Sequence, residues 1–197
     1  MRLFARAIRR SGLEATYSEG YNPRLRLCLV LPRPVGVVSK DDLLVLETSD
    51  ECRPEELRRR LAGHLPKEIK IGKSFELGTG QTPKAIGAVY SLQLSQEQTA
   101  GLVDKISDVL RAGQLLIQRL GKPDGDSRQL DIRPYLSEMK IDGEKLLFTL
   151  AHTDSGSAKP AEILALLNLD NSYNRAQLVR EKTKYIGSTA NAVSEQN

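Results

Sequence analysis

The sequence predicts an α+β protein built as two ferredoxin-like (split β-α-β) half-domains, the first lacking its N-terminal strand. Three features carry this expectation. In the second half the periodic segments run strand, helix, strand or strands, helix, strand. The first half runs helix, strand, strand, helix, strand, the same order without an opening strand. Between them lies "GTGQTPK" (78–84), where Gly, Thr and Pro cluster between two periodic segments and mark a boundary. The expected division is a half-domain at 1–77, a linker at 78–85, a second half-domain at 86–187 and a disordered tail at 188–197. In such a fold the first strand is central, and without it its neighbours would carry unpaired backbone groups. Either translation begins upstream of Met1, or a partner or another segment fills the gap.

Residues 2–11 read as a helix. Leu3, Phe4, Ala7 and Ile8 recur at helical spacing, and Gly12 supplies the stop. Arg9 and Arg10 suit the negative end of that helix, a structural reason for their presence, whereas Arg2 and Arg6 lack one. The stretch "SEGYNPRLRLCL" (18–29) follows, and Leu25, Leu27, Leu29 and Leu31 alternate with Arg26, Cys28 and Val30 as in a strand with one apolar face. Pro32 and Pro34 cannot donate ladder hydrogen bonds, so "PRPVGVVS" is an edge or a connection. "DLLVLETS" reads as a strand. "RPEELRRRLAGHLP" reads as a helix with Pro54 in its first turn, Arg58 to Arg60 late, and Leu57, Leu61 and Leu65 as its buried stripe. "EIKIGKSFEL" (68–77) reads as a further strand.

In the second half "AVYSLQL" is a strand, and Ser95 with Gln98 forms a capping box that opens a helix with Leu102, Val103, Ile106, Val109 and Leu110 on its apolar face. "QLLIQRL" is a strand and "GKPDGDS" a loop. Residues 129–153 give two strands turning at Asp142-Gly143, the strongest hairpin signal in the chain. "KPAEILALLNL" is a helix entered through Pro160, and "AQLVREKTKYI" is the last strand.

Charge and chemistry bound the function. The chain has 197 residues, is 40% hydrophobic and carries a net charge of +4, an ordinary globular balance. No apolar run is long enough to span a membrane, and the first residues lack a signal-peptide apolar region, so a cytoplasmic protein without membrane association is expected. Among residues 1–39, seven arginines face only Glu14 and Glu19, a net of +5. Such an excess suits phosphate-backbone binding, and equally a solvated helix face.

Cys28, Cys52, His64 and His152 are scattered singly, with no spacing that assembles a metal site, so no metal is expected. Cys28, in a strand, reads as an inert core residue, and His64 as a surface residue of a helix end. "GKS" at 72–74 lacks a phosphate loop's leading glycine, the needed position being Lys67. No nucleophile-base pairing is legible, so the chain is not expected to be catalytic.

Three stretches remain as candidate sites. In the first, Gly20 permits unusual backbone angles, Pro23 holds Asn22 out of helix, and Arg24 and Arg26 add charge; Tyr21 either stacks on a base or packs inward in an irregular turn. In the second, Asp131, Arg133 and Tyr135 of "LDIRPY" share parity and so one strand face, as a site or a structural ion pair. In the third, "AHTDSGSAKP" precedes a helix start, where backbone N–H groups suit an anion or simply cap the helix.

"LFARAIRRSGLEATYSEGYNPRLRLCLVLPRPVGVVS" resembles the signature of the radical-SAM-linked family of bacterial domains of unknown function. "LDIRP", "KPAEILALL" and "VREKTKY" are similar to that family's later blocks, so the resemblance spans roughly residues 2–186. It implies an accessory role beside a radical SAM protein with a cobalamin-binding-like domain, and an earlier start with a strand and a polar loop. Where the family reads Gly-Phe-Asn-Pro-His-Pro, this chain has Gly20-Tyr21-Asn22-Pro23-Arg24-Leu25, which puts in doubt any role resting on that histidine. With two cysteines this chain holds no three-cysteine iron–sulfur cluster, so S-adenosylmethionine and the cluster would belong to the partner and the chain itself needs no cofactor. The expected function is a non-catalytic accessory domain that binds RNA or presents substrate through Arg2, Arg6, Gly20, Tyr21, Asn22, Pro23, Arg24 and Arg26. The alternatives are a docking module for the radical SAM protein without nucleic acid and, behind it, a small enzyme using Asp131, Arg133 and Tyr17 or Tyr21.

Overall fold

A computed structural model describes residues 1–49, 51–78, 80–119 and 127–186. The loop expected at 121–127, all but its last residue, and the tail expected at 188–197 lie outside the described residues. In chain order the elements are α1 (Arg2–Arg10), β1 (Leu27–Leu29), β2 (Val38–Ser39), β3 (Leu44–Leu46), α2 (Pro54–Ala62), β4 (Lys84–Gln93) and α3 (Gln96–Arg111). There follow β5 (Leu116–Arg119), β6 (Arg128–Asp131), a 3-10 turn (Arg133–Tyr135), β7 (Leu136–Asp142), β8 (Lys145–Thr153), β9 (Gly156–Ser157), α4 (Pro160–Leu166), α5 (Ser172–Gln177) and β10 (Val179–Ile186). The architecture is mixed α+β, with five helices and several sheets among the described residues. No described helix is long and apolar enough to cross a membrane.

The chain divides into two compact units, one of Met1–Leu31 and Asp42–Lys84 with Ile186, the other of Pro32–Asp41 and Ala85–Tyr185. In the first, Ala7, Ile8, Leu13 and Leu61 form a small core against which Leu25, Leu27, Leu46, Leu57 and Ile71 pack. β1 and β3 pair antiparallel, Leu27 opposite Leu46 and Leu29 opposite Leu44. The period of two turns Leu27 and Leu29 inward and leaves Cys28 exposed, so the expected core cysteine is a surface one. No strand forms over 68–77, contrary to the alternation of "EIKIGKSFEL". Only Ile71 of its alternating positions joins the core, and the segment is held instead by a turn, Ile69 N to Pro66 O, and by Ser74 Oγ donating to Pro54 O at 2.7 Å.

The second unit is built on a sheet ordered β2-β10-β4-β8-β7, with β9 paired to β8. β4 with β8 and β8 with β7 run antiparallel, whereas β2 lies parallel to β10 at the sheet edge. Register places Tyr90, Phe148 and Met139 on one face, with Leu92, Leu146 and Ile141 beside them, and these side chains are buried apart from partly exposed Ile141. α3 begins at the expected capping box, Ser95 Oγ accepting from Gln98 N while the Gln98 side chain accepts from Ser95 N. It buries Leu102 and Ile106, and α4 buries Ile163 and Leu164. The hairpin between β7 and β8 turns at Gly143, whose φ of +59° lies where side chains are strained.

His152, on β8, lies in this unit with its Nε2 buried and accepting no hydrogen bond. Burial, and then the neighbouring Arg180 guanidinium, push the imidazole below its ordinary value. A pKa depressed on folding means that the unfolded chain binds the proton more readily. The stabilisation by neutral His152 is therefore complete above about pH 6.5 and is lost as pH falls below it. Thermal melts between pH 7.5 and 5.5 should show wild type losing melting temperature more steeply than His152→Gln. Equal slopes would contradict a neutral buried imidazole. Glu162 and Glu181, held below the usual carboxylate range, act at still lower pH and do not blur this window.

Candidate nucleic-acid interface

α1 separates its charge from its apolar side: Ala7 and Ile8 are buried, and all four arginines are exposed. Arg2, Arg6 and Arg10 are each four residues apart and so share a face. Arg60 of α2 donates from Nε to Ser11 O at 3.3 Å and from Nη2 to Gly12 O, setting a cation against the carbonyl end of α1. This fixes the end of α2 beside α1. Beside α1 lies an open groove of about 640 Å³, lined by Arg2, Leu3, Arg6, Ala7 and Arg10 and by residues 63–66, which follow α2. Among the described residues, the side chains of Arg2, Arg6, Arg10 and Arg24 meet no carboxylate.

Residues 18–24 make a closed loop. Ser18 N donates to Arg24 O at 2.8 Å, Arg24 N donates to Ser18 Oγ at 2.9 Å, and Tyr17 and Leu25 form an antiparallel bridge beneath them. Gly20 takes a φ of +115°, which a side chain would strain, and Pro23 stiffens the returning limb. Asn22, Pro23 and Arg24 are exposed, and Tyr21 is 100% exposed. This corrects the inward packing that the sequence allowed: the tip lies beyond the small core that Leu25 reaches, so there is nothing for the ring to bury against. Arg26 is engaged, its Nη1 lying 3.2 Å from both Glu47 carboxylate oxygens in an exposed pair.

The structure thus brings Arg2 and Arg6 together, adds Arg10 and His64, and sets residues 20–24 on a separate loop of the same unit. His64 was legible only as a helix-end residue, because its role in the groove depends on how α2 packs on α1.

Asp131, Arg133 and Tyr135 do not share a strand face. β6 ends at Asp131, and Pro134, which cannot donate to a ladder, lies in the 3-10 turn that follows. Backbone donors, more than the Arg133 charge, hold the Asp131 carboxylate. Asp131 Oδ1 accepts from Leu115 N at 2.8 Å and Arg133 N at 2.9 Å, and these two bonds hold its carboxyl below the usual range. The Arg133 guanidinium is spread over three backbone carbonyls, those of Leu110, Ala112 and Leu136. Tyr135 is buried and lines a smaller cleft of about 130 Å³ with Arg119, Arg128 and residues 155–157. There Arg119 is committed to Glu162 at 2.7 Å and to Ser157 O at 2.8 Å. Burial pushes the Glu162 carboxyl up, but bonds from Arg119 and from Lys159 N outweigh it and hold the group low. The polar loop before α4 works chiefly as a cap, Glu162 accepting from Lys159 N at 2.7 Å.

Among the described residues no group of three or more His, Cys, Asp or Glu side chains gathers to hold a metal. A comparison with curated proteins finds no match. Residues 1–160 match the family described as an uncharacterized protein conserved in bacteria (DUF2344), over four-fifths of the sequence, and the chain belongs to that family.

Proposed function

We propose that this chain is a non-catalytic, cytoplasmic accessory domain of a radical SAM system, binding RNA or presenting substrate through α1 and the loop at 18–24. The observation that carries this reading is the row of Arg2, Arg6 and Arg10 lining an open groove without carboxylate partners among the described residues. Arginines placed to stabilise the protein end on carboxylates or carbonyls, as Arg119 and Arg133 do. Arginines left facing solvent in a row are available to phosphates. The exposed Tyr21 on its pinned loop adds a ring that can stack on a base with little further loss of freedom. The radical SAM protein is the proposed partner, and S-adenosylmethionine and the iron–sulfur cluster are assigned to it. For the second unit the order β10-β4-β8-β7 supports a ferredoxin-like layer, since it places the first and third strands of a split β-α-β pair at the centre.

Binding to tRNA or rRNA fragments, followed by fluorescence anisotropy across a salt series, tests the RNA reading. Wild type should weaken steeply as salt rises, and Arg6→Glu and Arg24→Glu should each lower affinity about tenfold at low salt. Salt-independent or absent binding would sink it. A complex with a radical SAM protein that is free of RNA and insensitive to both substitutions would then favour a docking role.

A further inference from the structure

We infer that the groove beside α1 accepts an unpaired RNA strand, with its phosphates along Arg2, Arg6 and Arg10 and a base lying on the His64 ring. This deepens the RNA reading above and rests on it.

The arginine wall has a fixed pitch. Residues four apart on a helix rise about 6 Å, so the three guanidinium groups repeat along a line rather than converging on one anion. A strand backbone, with a phosphate at every nucleotide, is a ligand that repeats in the same way. The placement of Arg2 also argues for a ligand. It lies in the first turn of α1, which has no acidic residue, where the helix dipole disfavours a cation. Nothing within the helix rewards that charge, and a bound anion would.

The rest of the groove is not built for phosphate. Leu3, 40% exposed, lines it from α1, and His64, Leu65 and Pro66 line it from the segment after α2. Apolar surface flanked by an imidazole suits the face of a base, and bases reach such surface only when they are unpaired. In a duplex the bases are stacked inside, and an A-form helix presents its phosphates and 2′-hydroxyls instead.

Anisotropy with the full chain, a labelled single-stranded RNA 12-mer and the same sequence as a duplex tests this. The single strand should bind about tenfold tighter, and log K against log salt should fall with a slope of about −3, from three groove phosphates and the one met by Arg24 at about 0.7 each. Arg6→Ala should reduce that slope by about 0.7. His64→Ala should weaken the single strand about tenfold at unchanged slope, and His64→Phe should restore it, since a phenyl ring stacks without a charge. Should the duplex bind as well as the single strand, or should His64→Ala leave affinity intact while Arg6→Ala lowers it, the unpaired-strand inference falls and the RNA reading stands. Failure of wild type to bind either RNA overturns both.

Discussion

Replacing Arg133 by alanine should lower the stability of the protein by about 3 kcal/mol, the cost of leaving partly buried carbonyls without a charged donor. Nε donates to Ala112 O at 3.1 Å, Nη1 to Leu136 O at 2.9 Å and Nη2 to Leu110 O at 3.1 Å. Leu110 and Ala112 belong to the C-terminal end of α3, where carbonyls have no partner within the helix. One planar fork thus finishes the helix and ties it to the start of β7. Arg133→Lys should recover only part of the loss, because a single ammonium on a flexible stem cannot meet three carbonyls set apart from one another. Urea unfolding followed by far-ultraviolet circular dichroism would measure both variants. Alanine and lysine variants as stable as wild type would show that the fork is dispensable.

Phe148→Ala should cost more, about 3–5 kcal/mol, because it removes a ring from the middle of the main sheet and leaves a cavity. Phe148 is 1% exposed and stacks on Tyr90 with ring centroids 5.5 Å apart and planes inclined by 19°. Desolvation by burial pushes the Tyr90 hydroxyl up, opposed by Arg180, so the ring pair also shields a polar contact. The β4–β8 register places the two rings opposite each other, with Met139 next across on β7, so no flanking side chain can slide in without shifting a strand. The urea midpoint should fall sharply with little change in the slope of the transition. A loss below about 1 kcal/mol would mean that the sheet closes over the gap.

These two side chains also mark how far the sequence could be read. Local signals were reliable where the physics is local. The Ser95 and Gln98 capping box depends only on residues three apart, and Asp142-Gly143 turns the chain whatever surrounds it. Parity failed at "LDIRPY" because Pro134 interrupts the strand, and so Asp131 and Arg133 each found backbone partners that no spacing rule names. α5 was missed for a related reason. "SYNRAQ" has no apolar stripe, and the helix is started by Asn171 Oδ1 accepting from Asn174 N and held by Asn174 Nδ2 donating to Leu169 O. The strand expected over 68–77 had its alternation but no neighbour to pair with among the described residues.

The candidate site divides in the same way. Arg2 and Arg6 stood out because helix physics gave no reason for them, and that signal needs no tertiary knowledge. Arg10 did have such a reason, so its place in the groove was hidden. The groove itself brings residues 2–10 together with residues 63–66, a juxtaposition across more than fifty residues of sequence that no periodicity reports.

The edge strand β2 bears on how the chain can be cut. Residues 32–41 belong with the second unit, although both neighbouring stretches belong with the first. They lay Val38 and Ser39 along β10, Ser39 Oγ accepts from Arg180 Nε, and Asp41 accepts twice from Thr183. A single cleavage at the glycine-rich stretch near residue 80 would therefore release a fragment missing its own border. The exposed flank of β10 would be open to foreign strands, and Arg180, 0% exposed, would lose a hydroxyl that it bonds. Excision or transplantation of the second unit therefore calls for a two-piece graft, with 32–41 carried along.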